Sequence, residues 1–421
     1  MSAMRNPKVL RTGKNFSCGF KSSFFVFFLL LVFFARINPA LAAQESILSS
    51  YERNFVRASL ANKTGILKDA ATDEKAGEFI GSLYELAFRF ALNNGGILSG
   101  DPDMIALVGA AARGTASCGN RSAVLTLWEL FQVYRDSYSR SEILLALGSL
   151  GKGNREVIGN LNKFLEEQNI LFRSSNQAES FGRMGNEQDF PVLRACIEAL
   201  GVLGDSSSFP FLFSAMTAGY PQNVVQETLK ALDAIQGNYK DYLLGVIRNN
   251  SFAEKAAAFR IGAYNERLST PERGEIAQAA LEMALNGSGP LESSLRYDAI
   301  TVLTRLKWSP AAPLAIRNFH KVQSDYTSGF ISKDRLIEAI SCLGVMGTSE
   351  SARALAMQLG YFNSQTEKSG VYDEAVILAI VNALGELGDK SAFDYLLYIG
   401  YLNYPDKIQA SAREALNRLR W

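Results

Sequence analysis

Residues 199–205 read ALGVLGD, and this short motif returns along the chain. ALGSLG at 146–151 and ALGELGD at 383–389 repeat it, and CLGVMG at 342–347 is a looser copy. Self-similarity at intervals of tens of residues indicates stacked supersecondary units, each of which buries its apolar face only against its neighbours. The motif therefore predicts a repeat protein.

The unit around the first of these motifs predicts two helices joined by a tight corner. Apolar side chains recur at spacings of four, four and three from Val192 to Leu203, which is one face of an α-helix. Gly204 is suited to end this helix, because glycine adopts the left-handed C-cap conformation. Asp205 can then cap a second helix over 209–218. Each repeat is thus expected to be an antiparallel helical hairpin.

A glycine lies inside each first helix, in spite of its poor helix propensity. The four positions are Gly148, Gly201, Gly344 and Gly385. Each glycine costs about 1 kcal/mol of helix stability relative to alanine. Its presence therefore predicts that a neighbouring helix approaches closely at this point.

The spacing of the repeats is irregular, and this predicts insertions. A long gap between the copies at 146 and 199 indicates an inserted loop over 168–189, which is rich in Ser, Asn, Gln and Gly. A second protruding loop is expected over 363–370, and a weak extra repeat around 256–262. Repeat insertions map to loops, so we interpret the two loops as candidate mobile binding elements.

The motif resembles the HEAT-repeat family, in particular the short bacterial type related to phycobilisome-lyase repeats. The match is close at 199–218 and 383–400, fair at 142–165 and 338–360, and weak between 240 and 320. The resemblance implies an all-α protein, a right-handed α-solenoid of HEAT-like helical hairpins. It says little about activity, because fold does not determine function.

Three segments are expected along the chain. Residues 1–42 are interpreted as a signal peptide and 43–100 as an N-terminal helical segment without a clear repeat. Residues 101–421 are interpreted as the HEAT-like solenoid.

The first 42 residues are typical of a secretory signal peptide. Five basic and no acidic side chains precede the apolar run FFVFFLLLVFFA at 24–35, and Ala40-Leu41-Ala42 supplies a small-x-small cleavage site before Ala43. Twelve residues rise only about 18 Å as a helix, less than the roughly 30 Å hydrocarbon core. Cleavage is therefore favoured over an uncleaved anchor. We predict an exported protein, periplasmic or secreted, with no membrane span in its mature chain.

Charge and cysteine content limit the partners further. Removal of residues 1–42 takes away six Lys/Arg and no Asp/Glu, which leaves 37 basic and 42 acidic side chains. This mild acidity gives no electrostatic basis for nucleic-acid binding. The mature cysteines are Cys118, Cys196 and Cys342. Disulfide-dependent exported domains carry more, so we interpret Cys196 and Cys342 as buried apolar residues of repeat helices.

Residues that carry catalytic chemistry are scarce. His320 is the one histidine of the sequence, and we interpret it as a surface or helix-end residue. Cys-x-x-Cys, His-Glu-x-x-His, Gly-x-Ser-x-Gly and phosphate-loop motifs do not occur. Adjacent carboxylates such as Glu166 and Glu167 project about 100° apart on a helix, so they do not share a site. We predict no catalytic residue, no metal and no cofactor.

Aromatic side chains follow several of the second helices. They are Tyr220, Tyr361, Phe362, Tyr401 and Tyr404. Stacking would place these corners in a row, and tyrosine is enriched at protein interfaces. The alternative is that each ring packs over its own helix terminus. These five are the candidate partner-contact residues.

Together these features predict an exported, non-enzymatic scaffold or adaptor that binds another protein, in the bacterial cell envelope, through the surface of an α-solenoid. Two alternatives stay open. A ligand- or chromophore-handling protein is one, because related repeats occur in bilin lyases, and a deep apolar groove with polar groups would favour it. An envelope structural component anchored by an uncleaved N-terminal helix is the other.

Export in a bacterial host is expected to remove residues 1–42, because small side chains at 40 and 42 fit a signal-peptidase site. Intact-mass measurement of periplasmic protein should therefore give a chain that begins at Ala43. The variant Ala42→Arg should remain uncleaved in the membrane fraction. A wild-type chain that keeps its first 42 residues in the membrane would favour the anchored alternative instead.

Overall fold

The computed structural model describes the backbone of residues 39–73, 77, 80–180 and 189–420, and the side chains of these residues apart from 39–46 and 176–180. Within these ranges the regular structure is helical. The one β-type contact found there is an isolated parallel bridge between Asp389 and Arg420. The chain divides into two units, Met1–Lys152 and Gly153–Trp421.

Six described α-helices form the first unit. They are α1 Pro39–Arg57, α2 Leu60–Thr72, α3 Ile80–Leu98, α4 Pro102–Cys118, α5 Val124–Val133 and α6 Ser137–Leu150. Alternate helices pack on one another, so that α2, α4 and α6 form one layer and α1, α3 and α5 form a second. The core between the layers contains fully buried side chains such as Leu83, Phe88 and Leu107.

The second unit repeats this arrangement over fourteen described α-helices. They are α7 Arg155–Ser180, α8 Phe190–Leu203, α9 Phe209–Thr217, α10 Gln222–Ala234, α11 Lys240–Asn249, α12 Phe252–Tyr264, α13 Thr270–Leu285, α14 Pro290–Leu306, α15 Ala312–Thr327, α16 Lys333–Met346, α17 Ser349–Ser369, α18 Glu374–Leu387, α19 Phe393–Tyr398 and α20 Asp406–Asn417. In the C-terminal part, α14, α16, α18 and α20 stack in one layer, and α13, α15, α17 and α19 in the other.

Helices in both units therefore pack in chain order, each against its hairpin partner and its nearest neighbours. This is the packing of an α-solenoid, in which a hairpin buries its apolar face against the next hairpin. The prediction of an all-α solenoid of helical hairpins is confirmed.

The glycine of the repeated motif lies against an alanine of the next repeat. A Cβ atom placed on Gly201 would lie 2.9 Å from the Cα of Ala231 in α10. The same relation joins Gly344 to Ala383 and Gly385 to Ala415. Close helix approach was predicted at four glycines, and the structure confirms it at these three; at Gly148 it stays a prediction.

The corner after the motif has the same backbone conformation and the same hydrogen bond in two of the repeats. Gly204 ends α8 with φ 65° and Gly388 ends α18 with φ 63°, the left-handed conformation that favours glycine. The carbonyl of Gly204 accepts from the amide of Gln236 at 3.0 Å, and that of Gly388 accepts from the amide of Arg420 at 2.8 Å. Asp205 then caps the following turn. Each corner is therefore tied to the repeat that follows.

Two segments that were predicted to be loops are helical, and those predictions are wrong. Helix α7 continues to Ser180, so it covers most of the expected loop over 168–189, of which 181–188 lie outside the described residues. Helix α17 covers 363–369. The polar residues have a structural role, since Asn169 Nδ2 donates to the carbonyl of Phe211 at 3.2 Å. Asn363 Nδ2 donates to that of Tyr395 at 3.0 Å.

The predicted segment boundary at residue 100 stays a prediction, because the division after Lys152 separates two compact units and does not mark where the repeats begin. Helices α3 and α4 flank position 100 and pack on each other inside the first unit. The Oδ1 atom of Asp101 accepts from the amide of Asp103 at 2.9 Å, so this polar stretch is a helix cap.

The predicted signal peptide lies outside the described residues up to position 38, and residues 39–42 begin α1. Among the described residues, no helix combines the length and apolarity needed to cross a bilayer.

The glycine contact gives a matched stability test. Gly201→Ala is expected to lower the urea midpoint, because the steric cost of about 1–3 kcal/mol exceeds the gain of about 1 kcal/mol in helix propensity. Gly159→Ala, in α7, should raise the midpoint, because no described atom lies within 4 Å of its Cβ position. Equal stabilisation by both substitutions would show that the close approach does not constrain the stack.

Candidate functional site

The structure separates the five predicted contact residues into two groups. Tyr220 and Tyr404 are 5% and 3% exposed, whereas Tyr361 and Tyr401 are 51% and 77% exposed. Phe362 is half-buried, and it lies with Tyr361 inside α17, so the corner predicted at 360–362 is wrong. The five residues therefore do not form one exposed row.

The two buried tyrosines occupy equivalent corners and are packing residues. The Tyr220 ring stacks on Phe172 of α7 with centroids 4.2 Å apart, and burial raises the pKa of its hydroxyl. The Tyr404 hydroxyl lies 2.9 Å from Thr366 Oγ1 and donates to Asn363 Oδ1 at 3.2 Å. Both rings turn inward over the preceding long helix, so their predicted role as contact residues is corrected.

The exposed tyrosines are part of a set of exposed apolar side chains that lie on or just beyond two packed helices, α17 and α19, of the second unit. We call it the α17–α19 aromatic surface and define it as Met357, Tyr361, Leu397, Tyr398 and Tyr401. Their exposed fractions are 60%, 51%, 41%, 39% and 77%. Tyrosine and methionine are enriched at protein interfaces, and large apolar side chains grouped on neighbouring helices mark interaction surfaces.

Packing between α17 and α19 holds this surface in place. The ring of Tyr395 fills the space beside Gly360, where a Cβ would lie 2.7 Å from its Cε1 atom. The Tyr398 hydroxyl donates to Glu367 Oε1 at 2.9 Å, and this hydrogen bond raises its pKa. The aromatic pattern of the corners did not predict Met357, Leu397 and Tyr398, because these residues lie within helices. Their helical spacing to Tyr361 and Tyr401 was the available signal.

A groove of 740 Å³ lies elsewhere in the second unit, along α9, α10 and α12. Its apolar wall residues are Met216 of α9, Val225 and Leu229 of α10, and Ala253, Ala257 and Ile261 of α12. Leu229 is 38% exposed, so the groove opens to solvent. Helix α12 carries the weak repeat expected at 256–262, and sequence reasoning did not predict a groove there.

The rim of the groove is charged. The Arg173 guanidinium donates to the carbonyl of Ser214 at 3.1 Å, and Arg260 is exposed. Neither arginine forms an ion pair with a carboxylate within the described part of the chain. The Glu254 carboxylate accepts from the amide and hydroxyl of Ser251, a capping box that lowers its pKa. The rim therefore presents more positive than negative charge.

The residues considered for chemistry are dispersed. His320 is an exposed residue of α15, as predicted. Cys196 and Cys342 are buried, also as predicted, and burial raises the pKa of Cys342 to about 11. In the described ranges, no group of three or more His, Cys, Asp or Glu side chains is placed to hold a metal ion.

Comparison with known proteins found solved structures that are only weakly similar to this chain. No family model and no curated protein matches the chain. One similar structure is a homology model of the full-length AP-3 complex in an intermediate open conformation, with 14% identity and a TM-score of 0.36. The match covers 89% of this chain and 72% of that chain.

A second similar structure is a circular tandem repeat protein with novel repeat topology and enhanced subunit contact surfaces. It shows 15% identity and a TM-score of 0.15, over 89% of this chain and 83% of that one. Both TM-scores are below 0.5, so neither structure bears on the function proposed below.

The two groups of tyrosines should differ in their effect on stability. Tyr404→Phe is expected to lower the free energy of unfolding by about 1–3 kcal/mol, because it leaves the buried Asn363 oxygen without its donor. Tyr401→Phe should change it by less than about 0.5 kcal/mol, since its ring is exposed. Urea unfolding of both variants measures this difference. If the two substitutions had the same effect, the inward packing of Tyr404 would not contribute to stability.

Proposed function

We propose that this chain is a HEAT-like repeat protein that is exported to the bacterial cell envelope, binds another protein there and catalyses no reaction. The observation that carries the binding role is the α17–α19 aromatic surface. Four of its five apolar side chains lie on α17 and α19, Tyr401 lies just beyond the end of α19, and the contacts of Tyr395 with Gly360 and Asn363 hold the two helices together. A rigid surface loses little conformational freedom on binding, which favours affinity.

The stacked architecture supports the same role. Consecutive hairpins present their outer side chains on an extended surface, and such stacks commonly bind other macromolecules over large areas. The periplasmic location rests on the signal-peptide pattern of residues 1–42. The partner is expected to be a protein, because the side chains that define the α17–α19 aromatic surface are aromatic and aliphatic.

A ligand-handling role is the second candidate, and the groove along α9, α10 and α12 is the observation that favours it. Its volume lies within the range of small-molecule sites, which are mostly apolar with a few orienting polar groups. The groove opens to solvent at Leu229, however, and a small ligand there would stay partly hydrated. We therefore place protein binding first.

Cross-linking capture from envelope extracts tests the proposal, with the exported full-length chain as bait. The triple variant Tyr361→Ser, Tyr398→Ser, Tyr401→Ser should recover the captured protein about tenfold less, because central aromatic residues dominate interface energies. Phe330→Ser is the matched control, since Phe330 is 81% exposed outside this surface. If the triple variant captured as much protein as the wild type, the α17–α19 aromatic surface would not be the binding site. Recovery of a small molecule alone would favour the second candidate.

A further inference from the structure

The walls of the groove are formed by ridges of two helices. Val225 and Leu229 lie four residues apart on α10, and Ala253, Ala257 and Ile261 follow at the same spacing on α12. Residues four apart lie on one face of a helix, so each wall is a straight apolar stripe. The groove therefore has the form of a channel between two helices.

Neighbouring positions in the stack are filled by helices of this chain. Helix α8 packs on α10, and α14, α16, α18 and α20 pack successively on one another. At α12 the glycine–alanine contact of the other repeats is absent, and the glycine faces longer side chains instead. A Cβ on Gly262 would meet the side chains of Ile276 and Leu243, at 2.6 and 2.9 Å, and no alanine of a following motif. The groove lies at this irregular step.

The small side chains on the α12 wall allow a third helix to approach. Ala253 and Ala257 leave room close to the α12 backbone, as Ala231 does where it faces Gly201. Met216 and Ile261 then supply larger apolar contacts at the sides. Ridges of one helix commonly pack into such grooves between the side chains of another.

The charged side chains at the rim of the groove favour a helix that carries acidic residues. Arg173 and Arg260 flank the apolar stripe, and within the described residues neither has an ion-pair partner. Glu254 is the carboxylate among the described lining residues; it accepts from Ser251 and also interacts electrostatically with Arg173, so Arg260 is the less compensated of the two arginines. A carboxylate on the bound segment would complete charge-assisted hydrogen bonds with the two guanidinium groups.

We propose that this groove docks an amphipathic α-helix of a partner protein, with its apolar face between α10 and α12 and acidic side chains against Arg173 and Arg260. This is the helix-in-groove mode of recognition, with apolar anchors spaced three to four residues apart. The inference rests on the proposed protein-binding function and adds a second contact site to the α17–α19 aromatic surface.

A displayed library of helical peptides tests the proposal with the full-length exported chain as target. The library fixes leucine at positions i, i+4 and i+7 and randomises the flanking positions. Selected peptides should be enriched in Asp and Glu beside the leucine stripe. Their affinity, measured by fluorescence anisotropy, should fall about tenfold or more for Arg260→Glu and for Leu229→Asp, because each change removes a complementary contact.

Arg194→Glu is the matched control, because Arg194 is an exposed arginine of α8 outside the groove. Circular dichroism of each variant checks that the helices remain folded. Selected peptides that bind the groove variants as tightly as wild type would overturn the proposal, as would selection of no peptide. Binding of a fluorescent fatty acid that is lost in Leu229→Asp, without any peptide binding, would assign the groove to a small amphiphile.

These outcomes are separable from a failure of the proposed function. The capture experiment changes only the α17–α19 aromatic surface, whereas the peptide experiment changes only the groove. A chain that captures no envelope protein but binds acidic helices at the groove would retain the groove assignment. A chain that captures its partner through the aromatic surface but binds no helix would lose the groove assignment alone.

Discussion

Contact between a glycine of one hairpin and an alanine of the next is the constraint on which the stack depends. At Gly201, Gly344 and Gly385 the absence of a side chain lets the following helix approach until its alanine almost touches the backbone. The neighbouring leucines, Leu200, Leu343 and Leu384, are then completely buried. The loss of helix propensity at each glycine is offset because close packing places more apolar surface out of water.

This contact is local in the sequence, and the surfaces of the molecule follow from that. Where the motif is present, a hairpin is positioned by the hairpin beside it, through glycine–alanine contacts, corner hydrogen bonds and buried asparagines of the second layer. Side chains that face outward on neighbouring hairpins consequently lie next to each other. The α17–α19 aromatic surface arises in this way, because Asn363 and Gly360 fix α19 beside α17.

The most distinctive surface lies where the regular contact is missing. Between the motifs at 199 and 342 the chain has no full copy of the repeat, and Gly262 meets long side chains in place of an alanine. Helices α10 and α12 then line a groove with their apolar stripes instead of burying them against each other. A departure from the repeat therefore leaves apolar surface accessible to a partner.

The sequence by itself determined the helical hairpins, their corners and the close approach at Gly201, Gly344 and Gly385, because helical periodicity and the special conformations of glycine act over a few residues. It misassigned 168–180 and 363–369, because buried asparagine side chains that bond to a neighbouring helix have the same composition as a loop. Only the tertiary structure decided which tyrosines face solvent, since Tyr220 turns inward onto Phe172 whereas Tyr361 lies within α17 on its exposed side. The groove also depends on the tertiary structure, because it is the space between α10 and α12, whose apolar side chains do not pack against each other. The distance between two helices cannot be read from the local sequence of either one.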